Sequence, residues 1–399
     1  MRYEYLDNCV PLVPELPAQL PANASVVILG GGIMGVCTAY ELAKAGVRDV
    51  VVLERDALGS GSSAKPLGGV RATFSDPGNV VLGRRSLETF ERMQYEENAD
   101  FGLRQVGYLF LCRSDAEVAS VEASVQVQNS LGCNSRMVSP TEAAEINPFL
   151  NSDALVGASF SPRDGYAQPS LVVAEYARRA RELGAQIFEH TEVIGLGASD
   201  DGVDIHTQRG EIHADSIVIA AGAWSTALGA MVGVNLPIEP VRRQIGFTPQ
   251  LAEPHPTVPF TLDLSTTMYF HNHRNGMLLG ISNEEEPGFQ REFSYNWVDE
   301  FNAAAEIIAP DLSHQPLEAG WAGLYENTPD HNAMIGRDSS RPNILYATGF
   351  SGHGFLQGPA VGELIRDLYL DRESFLDPIP FSADRFAGTQ ARLAELHII

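Results

Sequence analysis

Four cysteines stand in 399 residues, and no two form a Cys-x-x-Cys pair. No histidine cluster accompanies them, so neither a disulfide framework nor a structural zinc site is expected. Cys9, Cys37, Cys112 and Cys133 are read as free thiols in a reducing compartment. No apolar run approaches the length that spans a bilayer. The first residues carry Glu4 and Asp7 and are broken by Pro11, Pro14, Pro17 and Pro21, which is not the pattern of a secretory signal. A cytoplasmic location is expected. Internal repeats and low-complexity stretches are absent. Cations are scarce, with 27 Lys and Arg against 51 Asp and Glu, a net charge of −24. So acidic a surface speaks against nucleic acid and anionic membranes as partners. It does not speak against a small anionic ligand, because one local arginine outweighs a diffuse distant field.

What is present begins at residue 25. Ser25 to Leu29 reads as a buried strand, Gly30-Gly31-Gly32-Ile33-Met34-Gly35 as a turn into a helix, and Asp49 to Glu54 as a second strand ending in an acid. This is a dinucleotide-binding βαβ unit. Gly30 permits the tight turn, Gly32 lets the backbone approach a pyrophosphate, and Gly35 lets the helix lie close to the sheet. The helix start offers free N–H groups to the phosphates. Glu54 stands where a carboxylate accepts hydrogen bonds from an adenosine ribose.

Further along, helices are expected over 79–97, 170–183 and 359–370, with strands at 107–112, 186–188, 192–196, 215–220 and 344–347. A hairpin is expected over 202–213. The strand and glycine-rich turn at 344–355 look like a return of the chain to the first sheet. A discontinuous plan follows. Residues 1–24 form an arm. Residues 25–85, 150–235 and 320–390 make a Rossmann-like nucleotide domain, while 86–149 and 236–319 make a substrate domain on a mixed or antiparallel sheet. The fold class is therefore α/β combined with α+β. The second glycine turn also bears on the cofactor. One dinucleotide needs one pyrophosphate site, whereas a flavin ring gains from a second helix start near its electron-rich edge. FAD is favoured over NAD on that ground.

The pattern resembles the D-amino-acid-oxidase-type superfamily of FAD-dependent oxidoreductases. Within it, the branch of sarcosine oxidases and L-proline dehydrogenase β subunits is most similar. The resemblance is carried by Gly30–Gly35 with Glu54, Gly61-Ser62-Ser63, Val70-Arg71, Ala221-Gly222-Ala223-Trp224, the run from Trp321 to Asp330, and Gly349 to Phe355. It implies that Gly30, Gly32, Ile33, Met34 and Gly35 cradle FAD, and that Glu54 and Arg55 hold its adenosine part. Ser62, Ser63, Val193 and Gly222 would lie along it, and Gly352, His353, Gly354, Phe355 and Leu356 would touch the ring. Arg71 stands where an arginine grips the substrate carboxylate, and Tyr325 where a tyrosine lines the substrate pocket. The sarcosine oxidases tether their flavin through a cysteine in the segment matching Ala322-Gly323-Leu324; none stands here, so non-covalent FAD is expected. Their lysine after the Gly-His-Gly-Phe turn is Leu356, and a further lysine linked to oxygen use falls on Leu278.

The resemblance implies oxidation of the C–N bond of a secondary amine or amino acid, sarcosine- or proline-like, by hydride transfer to flavin N5, giving an imine. No protein nucleophile or metal is required. Arg71 would fix a carboxylate through a bidentate pair. His353 and His271 are candidate site histidines, His353 with a structural role and flavin contact foremost. Arg242 and Arg243 are read as solvated, and become candidates for the carboxylate if Arg71 does not hold it. Two alternatives stand beside this reading: a 2-hydroxy-acid oxidoreductase, and a non-catalytic flavoprotein subunit or assembly factor. A second copy of the chain or a partner subunit is compatible with the branch.

Overall fold

Val26, Val27 and Ile28 are fully buried, each contributing about 1.5–3 kcal/mol by leaving water. Their strand, Asn23–Leu29, lies at the centre of a sheet in the computed structural model, which describes residues 19–63, 65, 67–199, 201–282, 287–387 and 394–396. Most of the expected N-terminal arm, with Cys9, lies outside the described residues.

Asn23–Leu29 pairs in parallel with Val50–Leu53 on one side and with Gly210–Ile219 on the other. Val50–Leu53 carries Gln186–Phe188 in parallel, and Gly210–Ile219 carries Ile344–Thr348. The antiparallel strand Met334–Arg337 closes that edge. The chain thus returns to its first sheet near residue 344, as the sequence suggested. Gly202–Thr207 and Val193–Ser199 continue antiparallel from Gly210–Ile219, which makes the expected hairpin part of a three-stranded meander.

A second sheet runs in the order Ala319–Asn327, Glu239–Phe247, Gly276–Gly280, Tyr269–His273, Phe260–Asp263, Tyr108–Cys112, Gly157–Ser161, Arg136–Val138. Its pairs are antiparallel except Phe260–Asp263 with Tyr108–Cys112. Gly157–Ser161 and Ala319–Asn327 belong to this sheet, although most of their residues fall in stretches expected in the nucleotide domain. Period-2 alternation alone does not tell which sheet a strand joins.

Two helix boundaries depart from expectation. The helix expected over 79–97 is Pro77–Glu91 followed by a π-turn, Arg92–Glu96; Asp76 caps it by accepting from Gly78 and Asn79 N–H groups. The helix expected from Pro359 begins five residues earlier, at Gly354, with His353 as its N-cap residue. Proline favours a first turn, but here Pro359 sits inside the helix and gives no N–H to the Phe355 carbonyl. The turn at Gly352, with φ of 95°, already supplies the start.

The helices Ile33–Lys44 and Gly354–Tyr369 cross at close range. A Cβ at Gly358 would stand 2.6 Å from the Ile33 side chain, and one at Gly362 would stand 2.7 Å from the Cys37 carbonyl oxygen. Cys37 is fully buried in this crossing, and burial pushes its thiol well above the usual range. Both helices therefore begin beside the same cleft. Gly362→Ala should separate them and lower stability by about 1–3 kcal/mol. Thermal melts of the FAD-loaded protein check this, and an unchanged melting temperature would show that the crossing tolerates a methyl group.

Candidate functional site

A long cleft runs between the two sheets, from Glu54 and Val193 at one end to Tyr325 and Phe355 at the other. A smaller chamber adjoins its inner end and shares Leu67, Tyr325, Gly352 and Phe355 with it.

The first glycines form the floor of the cleft. Gly30 adopts φ of 115°, and a Cβ there would meet the Ala220 carbonyl oxygen at 2.4 Å. Gly35 does not line the cleft; a Cβ on it would lie 1.9 Å from the Gly30 carbonyl oxygen, so its task is helix-to-turn packing. Gly32 leaves open a space that a Cβ would fill, 2.9 Å from Ser63 Oγ. Ser63 Oγ accepts from the Ile33 N–H at 2.9 Å, and Ser62 Oγ donates to the Leu324 carbonyl at 2.6 Å. The second contact joins the 59–63 loop to the second sheet.

At the outer end, Glu54 accepts from the Gly31 N–H at 2.7 Å and from the Asp56 N–H at 2.8 Å. Burial raises its carboxyl above the usual range, against the pull of those two N–H groups. Each oxygen keeps a lone pair for a further donor. Arg55 lies over the Trp224 ring at 4.5 Å, forming one wall with Gly222.

At the inner end, Arg71 is 3% exposed. Its guanidinium lies 4.1 Å over the Phe74 ring, with Phe110 and Tyr108 near it, and donates to the Thr73 carbonyl. Asp164 supports the same loop, taking the Ala72 N–H at 3.2 Å and the Thr73 hydroxyl at 3.1 Å. Burial pushes the Asp164 carboxyl up to about 7, while these bonds and Arg71 pull it down. Tyr325 is near both Arg71 and Arg243, and Arg243 lies over its ring at 5.5 Å. A Cβ at Gly352 would come 2.5 Å from the Tyr325 ring, so the glycine turn and the tyrosine need each other's shape.

The structure brings Gly30, Gly32, Ile33, Met34, Glu54, Arg55, Ser62, Ser63, Val193, Gly222, Gly352, Gly354, Phe355 and Tyr325 to the cleft. Arg71, His353 and Leu356 line the chamber. His271 joins neither. It is 2% exposed and stacks between Tyr166 and Phe260, at 4.6 and 4.9 Å. Its ring nitrogens face the carbonyls of Asn272 and Leu67, and burial lowers its pKa to about 4. It is a buried histidine behind Leu67, which itself lines both cleft and chamber. Leu278 is buried in the aromatic cluster of the second sheet.

Sequence reasoning missed Lys65, Tyr108 and Tyr269, and read Arg243 as solvated; Lys65, Arg243 and Tyr269 line the cleft and Tyr108 the chamber. Arg243 was legible by alternation. On its strand it shares a face with Val241, Ile245 and Phe247, opposite Tyr325, Gly323 and Trp321. Gly323 carries no side chain, which makes room for the Lys65 stem; a Cβ there would be 3.2 Å from that of Lys65.

A family model described as FAD dependent oxidoreductase matches residues 25–368. The chain belongs to this family. It is 30% identical to a glycine oxidase of Geobacillus kaustophilus, over 91% of this chain and 97% of that one. It is 29% identical to mitochondrial dimethylglycine dehydrogenase of Mus musculus, over 94% of this chain and 45% of that one, and so spans about half the length of that relative. Among solved structures, L-proline dehydrogenase from P. horikoshii superposes with a TM-score of 0.89 at 34% identity, covering 94% of this chain and all of that one. FAD is accordingly the cofactor. The Gly32 cradle and the two helix starts fit a dinucleotide with a ring at the inner end.

Two outcomes follow. Glu54→Ala should weaken FAD binding by about 1.5–3 kcal/mol for each charge-assisted bond lost, read as the FAD dissociation constant; an unchanged constant would remove Glu54 from the cofactor site. For Asp164, a folded pKa raised to about 7 contributes stability below about pH 4 that is lost as pH rises through 7. Asp164→Asn should abolish that decline. Melting temperatures of parent and variant from pH 4 to 8 decide it, and parallel curves would contradict it.

Proposed function

We propose that this protein oxidises the C–N bond of a small amino acid with a primary or secondary amine, sarcosine- or proline-like, at the inner end of the cleft. The observation that carries the reading is Arg71, buried in an aromatic-walled chamber that opens onto the ring end of the cleft. A buried guanidinium beside a cavity suits a carboxylate, because an unpaired buried anion is costly and a planar fork satisfies both its oxygens. Tyr108, Tyr325, Phe355 and Leu356 keep water from the chamber. Bound FAD supplies the hydride acceptor. The chain's own residues orient the substrate carbon against it and hold the carboxylate still. The names of two relatives, with glycine and L-proline, support a primary or secondary amine, whereas dimethylglycine in the name of a third is a tertiary one.

The described cleft lining includes no cysteine or histidine, which favours non-covalent FAD. Acid precipitation should leave the yellow colour in the supernatant; colour in the pellet would mean a covalent bond. We also read the chain as two interleaved domains, one around each large sheet. No described helix is long and apolar enough to cross a membrane. A cytoplasmic location, with the free Cys37, Cys112 and Cys133 kept reduced, suits the described thiols.

Arg71→Met should raise the amino-acid concentration for half-maximal anaerobic flavin bleaching by about a hundredfold or more, with the oxidised spectrum intact. Arg71→Lys should recover part. A Met variant that bleaches like the parent would move the carboxylate to Arg243 or remove it from the substrate.

A further inference from the structure

His353 is 4% exposed, and its Nε2 is buried with no hydrogen-bond partner. Buried polar atoms are nearly always partnered, so an orphan beside a cavity asks for a ligand. The ring lines the small chamber together with Arg71, Tyr108, Tyr325 and Leu356. It meets the Phe74 ring edge-on, with centroids 5.1 Å apart, and Arg71 lies 4.1 Å over that same ring. The imidazole and the guanidinium are therefore neighbours resting on one aromatic support.

The protonation state of the ring follows from its surroundings. Burial, and after it the Arg71 charge, lowers the pKa to about 3, so the imidazole is neutral. The Phe350 carbonyl accepts the His353 backbone N–H at 2.8 Å, which holds the residue at the helix start. A neutral imidazole carries one proton and one lone pair, and with the lone pair on the orphan Nε2 that atom is an acceptor.

In an α-amino acid the amine nitrogen sits one carbon from the carboxylate. A cation for the carboxylate and an acceptor for the amine must stand side by side, as Arg71 and His353 do. We propose that His353 Nε2 accepts a hydrogen bond from the amine N–H of the substrate whose carboxylate Arg71 holds, so that the site selects primary and secondary amines over tertiary ones. This rests on the amino-acid reading given above. The water-poor walls of the chamber strengthen such a bond. They also make its absence costly, which is how a buried acceptor discriminates between ligands.

The test compares two flat carboxylates of nearly equal shape on the FAD-loaded protein, read as dissociation constants from flavin absorbance changes without turnover. Pyrrole-2-carboxylate carries a ring N–H where 2-furoate carries an acceptor oxygen. The parent should bind pyrrole-2-carboxylate about tenfold or more tightly than 2-furoate. His353→Leu should erase that preference while leaving 2-furoate binding within about twofold, which also shows that the site is still folded. His353→Gln should keep part of the preference through its carbonyl oxygen. Equal binding of the two probes by the parent, or a preference that survives in His353→Leu, overturns the proposal while leaving the amino-acid reading in place. If neither carboxylate perturbs the flavin, both fall.

Discussion

The site depends on one close approach: the crossing of Ile33–Lys44 over Gly354–Tyr369. Gly358 and Gly362 have no side chains where Ile33 and Cys37 press against them. Without that contact the two helix starts would not face the same cleft. The first start follows the Gly30–Gly32 turn at its floor. The second follows the Gly352 turn and carries Gly354 and Phe355 into the cleft and His353 and Leu356 into the chamber. Each helix brings a positive dipole end, and the far ends are anchored by the Arg366–Glu41 pair at 2.7 Å. One packing constraint thus fixes both glycine turns, the first where our reading puts the pyrophosphate and the second where it puts the flavin ring.

Charge is distributed to match. The chain carries a net −24, yet the inner end of the cleft gathers Arg71, Arg243 and Lys65 around Tyr325. The carboxylates that line the cleft belong elsewhere. Glu54, Asp56 and Glu192 stand at the outer end, and Glu326 is turned onto the Thr348 hydroxyl and the Gly349 N–H. A small anion passing Arg55 at the outer end therefore meets a group of three cations at the inner end. The field of the whole molecule and the field of the site have opposite signs, and the second acts at contact distance.

Much of this was legible in the sequence, for physical reasons that differ between elements. The Ser25–Glu54 unit is local: strand, turn and helix are specified by neighbours in the chain, and their glycines have steric duties that no other residue meets. The return of Ile344–Thr348 to the first sheet could be read from its apolar run and the glycine turn after it. The substrate end was less legible. His271 and His353 are both histidines beside aromatic residues in sequence, yet one stacks inside the core and the other lines the chamber. Only the pairing of Tyr269–His273 with its neighbours separates them. Arg243 and Lys65 come from segments far apart in the chain that meet over Gly323, a relation that no local pattern encodes. The misplaced helix start at Pro359 has a simpler cause, since a proline preference yielded to a glycine turn already in position.

The central claim is that the chamber beside the cleft takes an amino acid for C–N oxidation by FAD. Anaerobic mixing of the purified FAD-loaded protein with a panel of amino acids and their 2-hydroxy-acid counterparts tests it most directly. The account predicts that N-methylglycine, proline or a related amino acid bleaches the flavin absorbance with a saturable dependence on concentration, and that the 2-hydroxy acids of the same shape do not. Bleaching by a hydroxy acid alone, or by no member of the panel, would contradict it.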